Sequence, residues 1–312
     1  MKRIEYSNKD SLKEDYQISF SIWVLDNQTK WEQLRRKYSS SLQTFPSNLS
    51  DILVGEFEEL AKWFADYENI DPVCHDKLCK FFRSNGRSQS IIADFFKRHS
   101  TDLKINSCYY CEMAYINTYS YQNKKYSHFD LDHFFPKKKC PILALSLFNL
   151  IPSCPTCNQR LKRTEVLSKD VYENLLLSPS SERYAFDNLV TIHLVPTTKF
   201  INLQLQQKES LDRFKMKFVT KSKSYQKTID LFRLEERYEF HKSDALRLLR
   251  LKQNYPDSHI GMISHLIKRS RNAIKDDIFN NKHMNESILS KLHRDILGQI
   301  VSNVQYSIEE CL

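Results

Sequence analysis

His128-Phe-Asp130-Leu-Asp132-His133-Phe-Phe-Pro136-Lys137, lying between Cys108-Tyr-Tyr-Cys111 and Cys154-Pro-Thr-Cys157, decides how this chain is read. Each CxxC pair has the short spacing that lets two thiolates bite one tetrahedral zinc, and two such pairs complete a closed four-thiolate site. A site with no open position is structural, so Cys108, Cys111, Cys154 and Cys157 are expected to staple the fold around Zn²⁺. Between them, polar and apolar residues alternate. On a strand, His128, Asp130 and Asp132 would share one face and His133 would turn out at the end. Carboxylates beside an imidazole open a metal-plus-base arrangement. Standing alone, an Asp-His pair more often caps a helix or satisfies a loop.

Further out, the composition is that of an ordinary globular protein: 312 residues, 41% hydrophobic and 27% charged, with 47 Lys+Arg against 38 Asp+Glu for a net +9. Only four glycines are present, and neither GxGxxG nor GxxxxGK(S/T) occurs, which removes dinucleotide and P-loop readings. No stretch reaches the ~20 apolar residues of a membrane span, and the N-terminal MKRIEYSNKDSLKED has no apolar secretory core. A cytoplasmic protein is expected. In a reducing compartment cysteines favour metals over disulfides. Cys74, Cys79, Cys140 and Cys311 have no CxxC partner, and Cys74, His75 and Cys79 read as helix packing rather than ligands.

Three regions follow. Residues 1–106 carry apolar positions at helical period, such as Leu53, Phe57, Leu60, Ala61 and Phe64, with Trp23, Trp31 and Trp63 as core anchors. Residues 107–185 lose that period and hold the turn formers, cysteines and histidines. In 186–312, Val190 to Leu205 reads as a hairpin turning at Pro196-Thr197-Thr198, and helices return from about Ile229. The expected class is α+β, a largely helical chain around a small central core. Acidic and basic residues balance over 1–100, whereas basic ones are in excess over 201–250. Arg213, Lys215 and Lys217 alternate with Phe214, Met216 and Phe218, so a strand there shows one cationic face, suited to phosphates or simply to water.

Cys108-x2-Cys111, Asp132-His133-Phe-Phe-Pro136, Asn149 and Cys154-x2-Cys157-Asn158 together resemble the HNH endonucleases of the ββα-metal fold. The resemblance spans about 55 residues and implies roles for each position. His133 would be the general base, Asp132 and Asn158 ligands of one catalytic Mg²⁺ or Mn²⁺, and Asn149 the residue that holds the loop so that His133 points correctly. Asn158 stands where many members have His, and its oxygen suits a hard cation. Asp130 either adds a carboxylate to that ion or only raises local negative charge, and His128 either supports the site or faces solvent.

Pro136-Lys137-Lys138-Lys139-Cys140-Pro141-Ile142-Leu143-Ala144-Leu145 and Ile229-Asp-Leu-Phe-Arg-Leu-Glu-Glu-Arg237-Tyr238-x2-His241 further resemble HNH nucleases of bacterial anti-phage defence, including the nuclease subunits of Septu and retron systems. That implies a regulatory or targeting partner such as an ATPase. The implied activity is phosphodiester hydrolysis of DNA, by nicking or double-strand cleavage. Lys137, Lys138, Arg160, Lys162, Arg213, Lys215 and Lys217 would contact phosphates, which give affinity without sequence information. Tyr109, Tyr110, Tyr119 and Tyr121 would either stack on bases of a single strand or RNA, or pack around a zinc knuckle. The alternative function is a zinc-stapled nucleic-acid-binding module, or a structural subunit of a larger complex, without chemistry.

Overall fold

The structure, a computed structural model, describes residues 1–82, 86–197, 211–279 and 287–299. It divides into two compact units, one of residues 2–185 and one of Phe186 onward together with Met1. Helices and small antiparallel sheets mix in both, so the chain is α+β. Among the described residues no helix is long and apolar enough to cross a membrane.

In the unit of residues 2–185, six helices come first: α1 (Lys9–Lys37), α2 (Ser39–Leu42), α3 (Leu49–Val54), α4 (Phe57–Tyr67), α5 (Pro72–Phe81) and α6 (Gly86–Arg98). α1 buries the stripe Leu12, Tyr16, Phe20 and Trp31 and leaves its other face in water, as an amphipathic surface helix should. Leu53 belongs to α3, whereas Phe57, Leu60, Ala61 and Phe64 belong to α4. The break falls at Gly55, where a Cβ would sit 2.6 Å from the Trp63 ring, so only glycine lets that indole close over the turn. Glu56 and Glu59 then form a reciprocal capping box that starts α4. Trp31 and Trp63 are buried as expected, and Trp23 is half-buried.

Two hairpins follow. β1 (Thr118–Tyr121) pairs antiparallel with β2 (Lys124–Ser127) through a two-residue turn, Gln122-Asn123, both at positive φ (47° and 60°). That is the turn geometry whose twist matches paired strands. β3 (Asp130–His133) pairs antiparallel with β4 (Leu150–Ser153) in the register His133↔Leu150 and Asp132↔Ile151. A π-helical turn, Thr156–Lys162, follows β4, and α7 (Val171–Leu177) closes the unit behind an Asp170 N-cap. The helices grip the core loop after β3: the Phe135 ring stacks on Phe64 at 4.4 Å and on Phe57 at 5.5 Å, and Ser146 Oγ donates to the Ile52 carbonyl.

The second unit holds α8 (Phe186–Leu189), β5 (Val190–Pro196), β6 (Phe214–Thr220), α9 (Lys223–Leu231), α10 (Leu234–Tyr238), α11 (Lys242–Asn254), α12 (Asp257–Ile267), α13 (Arg271–Phe279) and α14 (Ser290–Gly298). The expected hairpin over 190–205 is corrected here. Pro196 is the last residue of β5, and the partner of β5 is β6, in the register Val190↔Thr220 to Pro196↔Phe214. Thr198 and the stretch to Leu205 lie outside the described residues. Val190, Ile192 and Leu194 face inward with Phe214, Met216 and Phe218, and Lys215 and Lys217 face out. Both edges of this two-stranded sheet are closed by side chains. On β5, Asp295 accepts from Ile192 N (2.9 Å) and Gln299 exchanges bonds with Leu194. On β6, Glu239 and Glu235 accept from Met216 N (2.6 Å) and Phe218 N (3.0 Å). Helix carboxylates thus satisfy edge N–H groups that would otherwise template another strand.

Candidate active site

The two CxxC turns bring four sulfurs together. All four cysteines are buried, and their Sγ atoms lie within 4.8 Å of one another, with Cys111 and Cys154 at 4.0 Å. A tetrahedron with Zn–S near 2.3 Å puts its sulfurs about 3.8 Å apart, and a disulfide needs about 2.05 Å, so the cluster is sized for a metal ion such as zinc. Amides point at sulfur as thiolates require: Cys154 N to Cys108 Sγ at 3.3 Å and Cys157 N to Cys154 Sγ at 3.5 Å. Glu112 closes the first turn at φ 56°, donating to the Cys108 carbonyl. The other described cysteines do not join this group. Cys140 is buried in apolar surroundings that push its thiol well up, Cys74 is buried on α5, and Cys79 Sγ contacts His75 Nε2 while Tyr67 meets His75 Nδ1. Cys311 lies outside the described residues.

His133 ends β3 beside a cavity of about 390 Å³. Its Nε2 lies 2.9 Å from the Ala144 carbonyl. A carbonyl only accepts, so Nε2 carries the proton and Nδ1 keeps the lone pair. Burial, with Lys137 and Lys162 nearby, lowers the imidazole pKa to about 4 against the pull of that carbonyl, so the ring is neutral at physiological pH. Asn149, fully buried, fixes the loop that supplies the carbonyl: Oδ1 accepts from Phe135 N (2.8 Å), and Nδ2 donates to Phe135 O (3.1 Å) and Leu143 O (2.9 Å). Phe134 N returns a bond to the Asn149 carbonyl at 2.8 Å. One asparagine thus ties both sides of the connection between β3 and β4.

Asp132 and Asn158 both line the cavity with His133, yet their closest partners differ from the expected shared ion. Asp132 is buried, accepts from Tyr110 OH at 2.7 Å, and pairs with Lys162 Nζ at 3.0 Å. Burial pushes its carboxyl up while the lysine and the phenol pull it down. Lys162 is 0% exposed and also donates to the His133 carbonyl at 2.8 Å. Asn158 Nδ2 instead donates to Asp130 Oδ2 at 3.2 Å, joined there by Gln159 Nε2 at 2.8 Å. Hence Asp130 and Asn158 converge on one spot, with Asp132 held behind by its lysine. His128 lies before the strand, exposed, with Nδ1 3.0 Å from Asn117 Oδ1.

No family model, curated protein or solved structure matches this chain. The site therefore stands on its own geometry.

Among the basic residues expected on phosphates, Lys137 and Lys138 are exposed at the rim of the cavity, and Arg160 is exposed on the π-helical turn. Lys162 is corrected: an ammonium buried against Asp132 and a backbone carbonyl does not reach a phosphate. In the other unit, Arg213 and Lys215 are exposed, and Lys217 pairs with Glu235 at 3.0 Å. Tyr109 and Tyr110 are buried, Tyr109 OH donating to the Leu103 carbonyl, and so pack the knuckle. Tyr119 and Tyr121 are exposed on the first hairpin. Arg163, the last residue of the cationic segment 160–163 expected on phosphates, lines the cavity at φ 50° as its N–H closes the π-helical turn onto the Asn158 carbonyl. Its only signal was the basic run after Cys157.

Proposed function

We propose that the chain is a metal-dependent endonuclease of the HNH type, hydrolysing phosphodiester bonds of DNA. The observation that carries this reading is His133: a neutral imidazole with Nε2 committed to a carbonyl and Nδ1 left as a base, at a cleft shared with Asn158 and rimmed by Lys137, Lys138 and Arg163. His133 Nδ1 accepts a proton from the attacking water, a step that contributes roughly 10²–10⁴ in rate. Lys137, Lys138 and Arg163 bind and orient the phosphate. Asn149 keeps the Ala144 side of the loop in place, and with it the tautomer of the base. Asp130 and Asn158 would be the residues to hold Mg²⁺ or Mn²⁺, Asn158 by turning its Oδ1 in place of the Nδ2 that now meets Asp130, because hard oxygen donors suit such an ion. When bound there, such an ion supplies charge stabilisation at the scissile phosphate. Four thiolates around Zn²⁺ hold β4 and the π-helical turn beside β3.

A role in anti-phage defence, with a regulatory ATPase as partner, belongs to the same proposal and rests on the resemblance alone. One observation favours the second reading, a zinc-stapled binding module without chemistry: Asp132 is already neutralised by Lys162. Supercoiled plasmid incubated with purified protein and Mg²⁺ or Mn²⁺ separates the two. Nicking or linearisation that stops when EDTA removes the added ion, at a dose shown by metal analysis to leave the zinc bound, supports the nuclease. A salt-sensitive gel shift without strand scission supports the binding module.

A further inference from the structure

The β1–β2 hairpin takes no part in the chemistry above, yet it adjoins it: Ser127, the last residue of β2, lines the same cavity as His133. Its register puts Tyr119 opposite Tyr126 and Tyr121 opposite Lys124, and strand alternation brings these four residues to one face. The Tyr119 and Tyr126 rings stack at 5.3 Å and 18°, and His128 continues the row at 4.8 Å from Tyr119. Tyr119, Tyr121 and Tyr126 are 43%, 59% and 39% exposed. Three exposed tyrosines on one face of a two-stranded hairpin contribute little to a core. Lys124 and Lys125 are exposed too, and the sequence from Met113 to Phe129 contains no acidic residue. The only charges on the finger are therefore cationic, beside its exposed aromatic rings, and it leads to a rim that carries Lys137, Lys138 and Arg163.

We infer that this hairpin is a base-stacking finger that engages unpaired bases of a DNA strand next to the cleft, with Tyr119, Tyr121 and Tyr126 on the bases and Lys124, on the same face, on a flanking phosphate. The inference deepens the nuclease proposal, since it names single-stranded or locally opened DNA as the substrate of the same site. Aromatic rings reward the π-faces of bases, which a closed duplex hides. Such stacking is sequence-tolerant, and its loss lowers affinity by roughly five- to a hundredfold per base. One lysine on a single strand adds about 0.7 to the magnitude of the salt slope.

Binding is measured on the zinc-loaded full chain without added divalent ion, using a fluorescent single-stranded oligodeoxynucleotide and its annealed duplex. Wild type is expected to prefer the single strand. Tyr119→Ala combined with Tyr121→Ala and Tyr126→Ala should weaken that binding at least about tenfold, whereas the three Phe substitutions should preserve it, because stacking does not need the hydroxyl. Photo-crosslinking of a halogenated-uracil strand to the unmutated protein supplies a second readout, expected to map to residues 118–127. Duplex binding as tight as single-strand binding, an Ala variant that binds like wild type, no binding of either DNA, or crosslinks confined to other segments overturns the inference. Because no cleavage is read here, a finger that binds on a protein that fails to cut plasmid condemns the nuclease proposal alone. Plasmid cutting unaffected by the Ala substitutions, with no single-strand preference, condemns the finger alone.

Discussion

β3 and β6 open with the same kind of sequence, polar and apolar residues in alternation, and end in different environments. On β6 the alternation sorts cleanly: Phe214, Met216 and Phe218 are buried, and Lys215 and Lys217 meet water. On β3 the most polar position, Asp132, is the buried one, because Tyr110 from the first CxxC turn and Lys162 from the π-helical turn come to meet it. Alternation fixes which residues share a face. It does not say what lies against that face, because a carboxylate can turn inward wherever a cation and a donor are folded in beside it.

The largest effect expected from this contrast concerns the metal. Structural zinc supplies on the order of 10–16 kcal/mol to the segments it holds. Stripping it with a strong chelator, or Cys154→Ser, should abolish hydrogen-exchange protection of the β3–β4 pair while amides of β5–β6 keep theirs. Equal loss in both sheets would show that zinc supports the whole chain and would erase the distinction between the regions.

Next comes the buried pair. Lys162→Met leaves the Asp132 carboxylate uncompensated and should cost about 3–5 kcal/mol in urea unfolding, with much of it regained when Asp132→Asn is added. A loss below about 1 kcal/mol would mean that water reaches the carboxylate and that Asp132 is free to serve another cation. Asn149→Ala should follow, at about 1–3 kcal/mol for each buried partner left unsatisfied at Phe135 or Leu143. Its plasmid cleavage should fall as well, since the loop holding Ala144 against His133 loosens. Smallest of all, Lys217→Ala on β6 removes a half-exposed pair with Glu235 and should change stability by no more than about 1 kcal/mol. A cost as large as that of Lys162→Met would break the comparison.

Much of the site was legible because its signals are short-range. Two CxxC turns, the Asp-His step and the following asparagines each need only a few neighbours to make chemical sense, and the structure gathers Cys108, Cys111, Cys154 and Cys157 into one cluster and His133, Asp132 and Asn158 onto one cavity. What escaped reading depends on distant partners. Pro196-Thr197 looks like a turn because proline punctuates strands, but β5 pairs with residues 214–220, and that pairing is set by packing on the helices of its unit. The β1–β2 hairpin gave no apolar alternation, since both of its faces are wet, and its Gln122-Asn123 turn lacks the glycine that usually announces such a loop. Lys162 read as a surface cation because nothing in its local sequence tells of Asp132 across the π-helical turn.

The role proposed for His133, as the base of a hydrolytic centre, stands or falls with His133→Ala in a single-turnover plasmid assay with Mg²⁺ or Mn²⁺. The expected result is bound zinc and DNA affinity unchanged with cleavage slowed by roughly 10²–10⁴. Cleavage by the variant at close to the wild-type rate would remove His133 from the chemistry.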